Sequence, residues 1–241
     1  MYVSKNTHHA QLLMHVLHAL FSPSLGGIEQ AFLDVTQAII SQGHRTTLLI
    51  REDSPYAMQA SALAPVVYCT PRGFYDFKAM WRVRGYISRL SPDVILAHAP
   101  RSSTVMNRAR MGTGVPLCVV AHGNSFSRMP RAEMAVALTP HMRKTMVAEG
   151  FLPERISVIP NMLTWQLPLA EMKPRVEKLR IGCMLRLVPE KGVPEFLEAL
   201  QLLQEQGMAF KAHIAGDGQD REMLHAMADK MGVAQHVHWH G

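Results

Sequence analysis

The sequence predicts an α/β protein in two Rossmann-like units, each built on a parallel sheet and the second one short. Three observations carry that prediction. Short apolar runs alternate with segments whose apolar residues recur at helical spacing, the pattern of strand–helix–strand units. Hydrophobic residues make up 48% of the 241 positions against 18% charged, enough to bury a core of that kind. Residues 163–179 break the rhythm with Pro168, Pro174 and the mixed charges of Lys173, Arg175, Glu177 and Lys178, after which the alternation resumes. The units are expected at 1–162 and 163–241, the linker opening the second.

The first strand is expected over 12–20. It ends in the turn Ser22, Pro23, Ser24, Leu25, Gly26, Gly27, and a helix follows over 28–41. Gly43 closes that helix and 46–50 reads as the second strand. Further strands fall at 66–68, 94–97, 117–121, 135–138 and 156–159. Between the third and fourth, Phe77, Met80, Val83, Ile87 and Leu90 share one side of a helix, with Lys78, Arg82 and Arg89 opposite. Beyond the linker, strands at 180–185, 210–215 and 237–239 alternate with helices at 194–205 and 220–231. Three strands fall short of a doubly wound domain, so the second unit is expected to be incomplete, with an unpaired edge and exposed apolar surface.

The net charge of +6 is local. Residues 72–110 carry eight basic side chains against Asp76 and Asp93, and the rest of the chain is balanced. Such a region suits an acidic partner: a phosphorylated small molecule, an anionic membrane surface or nucleic acid. Cys69, Cys118 and Cys183 are far apart in apolar surroundings and read as reduced, buried thiols in a cytoplasmic protein. The apolar stretch 10–21 imitates a signal peptide behind Lys5, but Gln11, His15 and His18 interrupt it, and a strand with a glycine turn accounts for it better. No run reaches the 18 or more apolar residues of a spanning helix, which leaves a soluble or peripheral protein.

Three segments can carry chemistry. Gly26 and Gly27 stand between a strand and a helix, where bare backbone and unpaired helix amides suit an anion, although a plain turn explains them too. Neither the dinucleotide fingerprint nor a P-loop is present. Arg186 and Lys191 lie just after a strand and before a helix, placed to clamp a diphosphate. Gly216 and Gly218 follow the next strand, with Asp220 able to cap the helix beyond. His236, His238 and His240 alternate and would share one strand face, but no metal site is assigned there, and no D-x-D pair occurs.

In order along the chain, Gly26-Gly27-Ile28-Glu29, Asp93-Val94-Ile95-Leu96-Ala97-His98, Ala121-His122-Gly123, Val158-Ile159-Pro160-Asn161, residues 186–192 and residues 215–218 resemble glycosyltransferase family 4. That family comprises retaining, nucleotide-sugar-dependent enzymes of GT-B architecture. The resemblance implies two Rossmann-like domains facing a cleft, an acceptor-side domain first and a donor-binding domain second. It implies a nucleotide diphosphate sugar donor, a glycan or lipid-linked acceptor, and no cofactor or metal, because Arg186 and Lys191 would stabilise the charge growing on the leaving nucleotide. His122 then matches the histidine that contacts the donor sugar, with His98 the runner-up; Gly26, Gly27, Gly216 and Gly218 complete the donor site. Members also carry, further downstream, two glutamates that hold the donor sugar and ribose. The chain ends before them, so weak donor binding and little turnover are expected of it.

A nucleotide-sugar epimerase of the same architecture is the alternative enzyme. A non-catalytic, basic nucleic-acid-binding protein is the alternative of another class; nucleic acid is not among the expected partners. The basic helix face of Lys78, Arg82 and Arg89 is expected near an anionic acceptor or at the inner face of a membrane.

Overall fold

The computed structural model describes residues 12–123, 126–162 and 179–241. The expected linker, with Pro168, Lys173, Pro174, Arg175, Glu177 and Lys178, lies outside the described residues, as do Lys5 and Gln11. Contacts divide the chain into two compact units, Met1–Leu167 and Pro168–Gly241.

In the first unit the elements run β1 (His15–Leu20), α1 (Gly27–Ser41), β2 (Arg45–Ile50), α2 (Ala57–Leu63), β3 (Val66–Tyr68), α3 (Phe77–Leu90) and β4 (Val94–His98). They continue with α4 (Ala99–Ala109), β5 (Leu117–Val120), β6 (Met134–Ala137), α5 (Pro140–Ala148) and β7 (Ile156–Val158). All seven strands pair in parallel, in the order β3-β2-β1-β4-β5-β6-β7. A sheet of this kind is buried on both faces, which is why its strands read as continuous apolar runs. Leu17, Ala19, Ile95, Ala97 and Val119 pack against α3, α4 and α5 on one side. Leu20, Leu48 and Ile50 meet Phe32 of α1 and Ala60 of α2 on the other, around a fully buried Tyr56 whose hydroxyl donates to the Leu20 carbonyl at 3.0 Å.

The sequence reading needs correction in places. Residues 12–14 precede the first strand, with Leu12 and Leu13 exposed. Helices α2, α4 and α5 were not anticipated, although α5 has a legible start: Thr139 accepts from the Met142 amide at 3.1 Å and Pro140 follows it. Helix α4 hides its start, because Ala99 adopts φ 66°, a left-handed conformation disfavoured for alanine. Phe77 is not a core residue of α3; it is 68% exposed, while Met80, Val83 and Ile87 are buried as expected. Cys69 is buried, but Cys118 and Cys183 are only half-buried, and all three are free thiols.

The second unit comprises β8 (Leu179–Met184), α6 (Val193–Glu205), β9 (Phe210–Ala215), α7 (Arg221–Lys230) and β10 (Val237–Trp239), a three-stranded parallel sheet in the order β10-β9-β8. Leu197, Leu200, Ala212, Ile214, Leu224 and Ala228 form its core, so both helices lie on one face. The opposite face carries Arg180, Lys211, His213 and His238, so it is polar rather than the apolar surface expected, with exposed Met184 the exception.

Chain after β8 continues beside chain after β9: the Leu185 amide donates to the Ala215 carbonyl at 3.0 Å and the Leu187 amide to the Asp217 carbonyl at 2.9 Å. Gly216 and Gly218 face that neighbour. A Cβ on Gly216 would stand 1.8 Å from the Leu185 carbonyl oxygen, with φ at 139° besides, and one on Gly218 2.2 Å from that of Leu187. Both glycines therefore have a packing reason within the unit. Gly216→Ala and Gly218→Ala are each expected to destabilise the protein by about 3 kcal/mol or more, because backbone rather than a flexible side chain must move. Urea unfolding followed by circular dichroism measures this, and Gly207→Ala, with no atom near its Cβ position, sets the scale for backbone strain alone.

Candidate functional site

Strand order reverses at β1: β2 and β3 extend the sheet on one side, β4 to β7 on the other. Open parallel sheets bind ligands outside the carboxyl ends of the strands at such a reversal, because the crossovers diverge there and leave a crevice. Here the carboxyl ends of β1 and β4 deliver the 22–27 turn and His98.

Gly26 precedes α1 with φ −177°, extended backbone that any residue adopts, and a Cβ on Gly27 would meet nothing within 4 Å. A Cβ on Gly26 would stand 3.3 Å from Oε2 of Glu29, so of the two positions only that of Gly27 is open. What the pair provides is an uncovered helix N-terminus, whose first-turn amides and partial positive charge suit an anion. Glu29 lies in that first turn, 3% exposed, and accepts from the Ser24 hydroxyl at 3.2 Å.

Behind the turn runs a chain of imidazoles. His18 of β1 lies beside Leu96 of β4 in register, and its Nε2 is 2.8 Å from Nε2 of His98. Nδ1 of His98 is 2.7 Å from Nε2 of His122, just beyond β5. At the inner end Nδ1 of His18 lies 3.0 Å from the Thr36 hydroxyl of α1. The Phe32 ring is 4.2 Å from the His18 ring and edge-on to that of His98. His18 and His98 are fully buried and His122 is half-buried. An apolar cavity of about 270 Å³, lined by Val35, Leu96, Val120 and Val136, opens beside His98 and His122.

Burial disfavours the imidazolium, so all three side chains are held neutral. The His18 pKa falls to about 3, by desolvation and then by the positive charge His122 would carry. His98 lies well below its ordinary value, through desolvation and its two histidine neighbours. His122 falls to about 4 by desolvation, with the Glu29 carboxylate opposing. The structure thus brings His98 and His122 together, and adds His18, Thr36 and Glu29. Of these, only Glu29 had a sequence signal, its place in the Gly26–Glu29 motif.

In the second unit Arg186 and Lys191 project from the segment between β8 and α6. Both are exposed, and among the described residues neither side chain makes a hydrogen bond or ion pair. Gly192 follows at φ 69° and leads into α6. The three alternating histidines do not share one face. His236 sits in a short turn against Phe210, and His213 is stacked between His238 and His240 with its Nδ1 2.9 Å from Nε2 of His240. Among the described residues no group of three or more His, Cys, Asp or Glu side chains is arranged to hold a metal ion.

The neutral histidines link stability to pH. Their folded-state pKa values lie below the 6.5 of the unfolded chain, so between pH 6.5 and about 4 the unfolded state binds the extra protons. Their contribution is complete above pH 6.5 and is lost as pH falls, with a slope of up to about 1.4 kcal/mol per pH unit for each histidine. Urea unfolding at pH 7, 6 and 5 should show a steep fall above the range where carboxylates titrate; a flat profile there would mean that the buried rings accept protons freely.

Residues 26–162 match the family described as Glycosyl transferase 4-like domain, and residues 170–241 match Glycosyl transferases group 1. Among curated proteins, the lipopolysaccharide core biosynthesis glycosyltransferase LpsE of Rhizobium meliloti (strain 1021) is 24% identical over 234 residues, covering 95% of this chain and 67% of the relative. LpsD of the same organism, with the same description, is 23% identical over 246 residues, covering 95% and 66%. Similar solved structures include the lipopolysaccharide outer core galactosyltransferase WaaB in its apo form, with TM-score 0.73, 18% identity and coverage of 94% of this chain and 67% of that one. Another is Anabaena Alr3699/HepE in complex with UDP-glucose, with TM-score 0.75, 19% identity and coverage of 95% and 69%. The chain spans about two thirds of the length of these proteins and shares the α/β fold of the two solved structures. With more than half of its length matched from Gly26 through the 22–27 turn's helix to β7 and beyond, the chain belongs to the glycosyl transferase 4-like family.

Proposed function

We propose that this chain serves the transfer of a hexose from a nucleotide diphosphate sugar to a glycan or lipid-linked acceptor, with retention at the anomeric carbon. The observation that carries this reading is the pair of exposed cations, Arg186 and Lys191, between β8 and α6, neither of them partnered among the described residues. A guanidinium fork and an ammonium there neutralise a diphosphate and the charge that grows on it as the sugar departs. In this reading the two side chains fill the role a divalent metal has elsewhere, and no cofactor takes part. The relatives named for lipopolysaccharide core synthesis, and the neighbour that holds UDP-glucose, support a nucleotide-sugar donor and a glycan product. Gly26 and Gly27 leave the first unit's helix N-terminus open to an anionic ligand, and His122 presents a polar atom at the edge of an apolar cavity.

Calorimetric titration with UDP in the presence of EDTA tests the donor site. Arg186→Ala and Lys191→Ala are each expected to weaken UDP binding about tenfold or more, since a charge-assisted hydrogen bond is worth about 1.5–3 kcal/mol. Unchanged affinity, or binding abolished by EDTA, would overturn the assignment. Little product is expected, but whatever NMR detects with UDP-sugars and lipid-linked acceptors should be a glycoside of unchanged anomeric configuration; a free epimerised nucleotide sugar would overturn transfer.

The location proposed is cytoplasmic, with peripheral contact at the inner membrane face. The expected basic face of α3 is partly neutralised, since Arg82 lies 3.8 Å from Glu52; Arg89 keeps its charge over the Tyr86 ring. The stronger feature is apolar. Phe77 and Trp81, one turn apart on α3, are 68% and 77% exposed, and Met111 beside them is exposed too. Lys78 adjoins them, and Arg108 stacks over Tyr75. Aromatic rings flanked by cations suit the boundary of an anionic bilayer, where each cation near the surface adds about 1 kcal/mol. In flotation assays with phosphatidylglycerol-containing vesicles, Phe77→Ser/Trp81→Ser is expected to lose most of its binding. Equal flotation of variant and parent would mean that the patch faces solvent.

A further inference from the structure

We infer that Thr36, through His18 and His98, fixes the tautomer of His122 so that its outward Nδ1 is a hydrogen-bond acceptor. That His122 contacts a donor sugar belongs to the reading above. What the structure adds is a set of positioning residues behind it and the sense in which the contact must run.

The direction follows from one end of the chain. The Thr36 hydroxyl lies 2.8 Å from the Phe32 carbonyl, four residues back on α1. Two oxygens at that separation need a proton between them, and the carbonyl has none, so the single hydroxyl proton points to Phe32. The Thr36 oxygen can then only accept at its second contact, 3.0 Å away, and Nδ1 of His18 carries the proton there. A neutral imidazole has one N–H, so Nε2 of His18 is bare. Its partner at 2.8 Å, Nε2 of His98, must be the donor. Nδ1 of His98 is then bare, and Nε2 of His122, 2.7 Å away, donates to it. Nδ1 of His122 is left with a lone pair, and among the described residues it has no partner.

The argument requires neutral rings, and the site provides them. His18 and His98 have no accessible surface, and no carboxylate contacts either ring among the described residues. Glu29 is the carboxylate whose charge acts on His122, and it acts on neither inner ring. Packing holds the rings in these orientations: Phe32 lies against His18 and His98, and the rings of His98 and His122 stack with centroids 4.9 Å apart. One hydroxyl on α1 therefore sets the polarity of a path reaching to the residue beyond β5. His122 meets a ligand as an acceptor and recognises a hydroxyl or N–H group. It offers no proton to a ligand oxygen at this atom.

Long-range ¹H–¹⁵N NMR of the imidazoles in ¹⁵N-labelled protein at pH 7 reads the tautomers directly, because a bare ring nitrogen resonates far downfield of a protonated one. The expected pattern is Nδ1–H for His18 and Nε2–H for His98 and His122; Nδ1–H at His122 overturns the inference in the parent protein, without any variant. Thr36→Val keeps the shape and removes the hydroxyl that fixes the direction, so His122 should shift to a mixture of tautomers, and Thr36→Ser should restore the single form. A His122 signal unaffected by Thr36→Val would show that the chain does not transmit. Adding UDP-glucose separates this inference from the function on which its ligand class rests: an upfield shift of Nδ1 in His122 is expected as it accepts a hydroxyl. A His122 that keeps its tautomer but ignores UDP-glucose would overturn the donor reading and leave the positioning chain intact.

Discussion

Parallel pairing of β1 with β4 is the constraint on which the rest of the first unit depends. Parallel neighbours cannot be joined by a tight turn, so each connection must carry the chain back to the starting edge of the sheet, in most cases through a helix. Every carboxyl end then emerges on one side of the unit. The 22–27 turn, His98 and His122 are far apart in sequence, yet the register that sets Val16 against Val94 and His98 against Val120 gathers them at one edge. The reversal of strand order at β1 adds the crevice.

The same register explains why polar groups are tolerated inside an apolar sheet. His18 and His98 alternate with Leu17 and Ala97, so they point to the α1 side, where Thr36 faces them. A buried ring nitrogen without a partner would cost about 1–3 kcal/mol, and four linked groups satisfy one another at 2.7–3.0 Å. The arrangement is held at two points: Thr36 is anchored by a helix carbonyl, and His98 stands where Ala99 takes its left-handed turn into α4. Strain of that kind persists where surrounding structure fixes the backbone, and here it sits directly beside the buried imidazole.

Much of this was legible in the sequence. Strands showed as apolar runs, α1 and α3 as periodic patterns, and the residues at carboxyl ends as short motifs in order. His98 and His122 were found through the family resemblance, in motifs that end or follow strand-like runs. His18 was passed over as an interruption of such a run, because its role depends on Thr36, Phe32 and His98, which only the register brings to it. Helix α4 was missed although Pro100 stands in its first turn, because His98 supplies no side-chain cap and Ala99 takes a left-handed φ. Gly216 and Gly218, assigned to the donor site by the resemblance, also admit the backbone of Leu185 and Leu187. Glycine signals closeness without naming the neighbour.

That close pairing bears on how Arg186 meets a ligand. The amides on both sides of it, at Leu185 and Leu187, are tied to the carbonyls of Ala215 and Asp217, so the arginine stands on what is in effect a prolonged strand. A residue on a free loop must lose backbone entropy of about 1–2 kcal/mol when it grips a partner. At Arg186 that loss has already occurred on folding. Were Arg186 to take the diphosphate proposed for it, only the torsions of the side chain would remain to be ordered, and association would be set by diffusion and charge rather than by the closing of a loop.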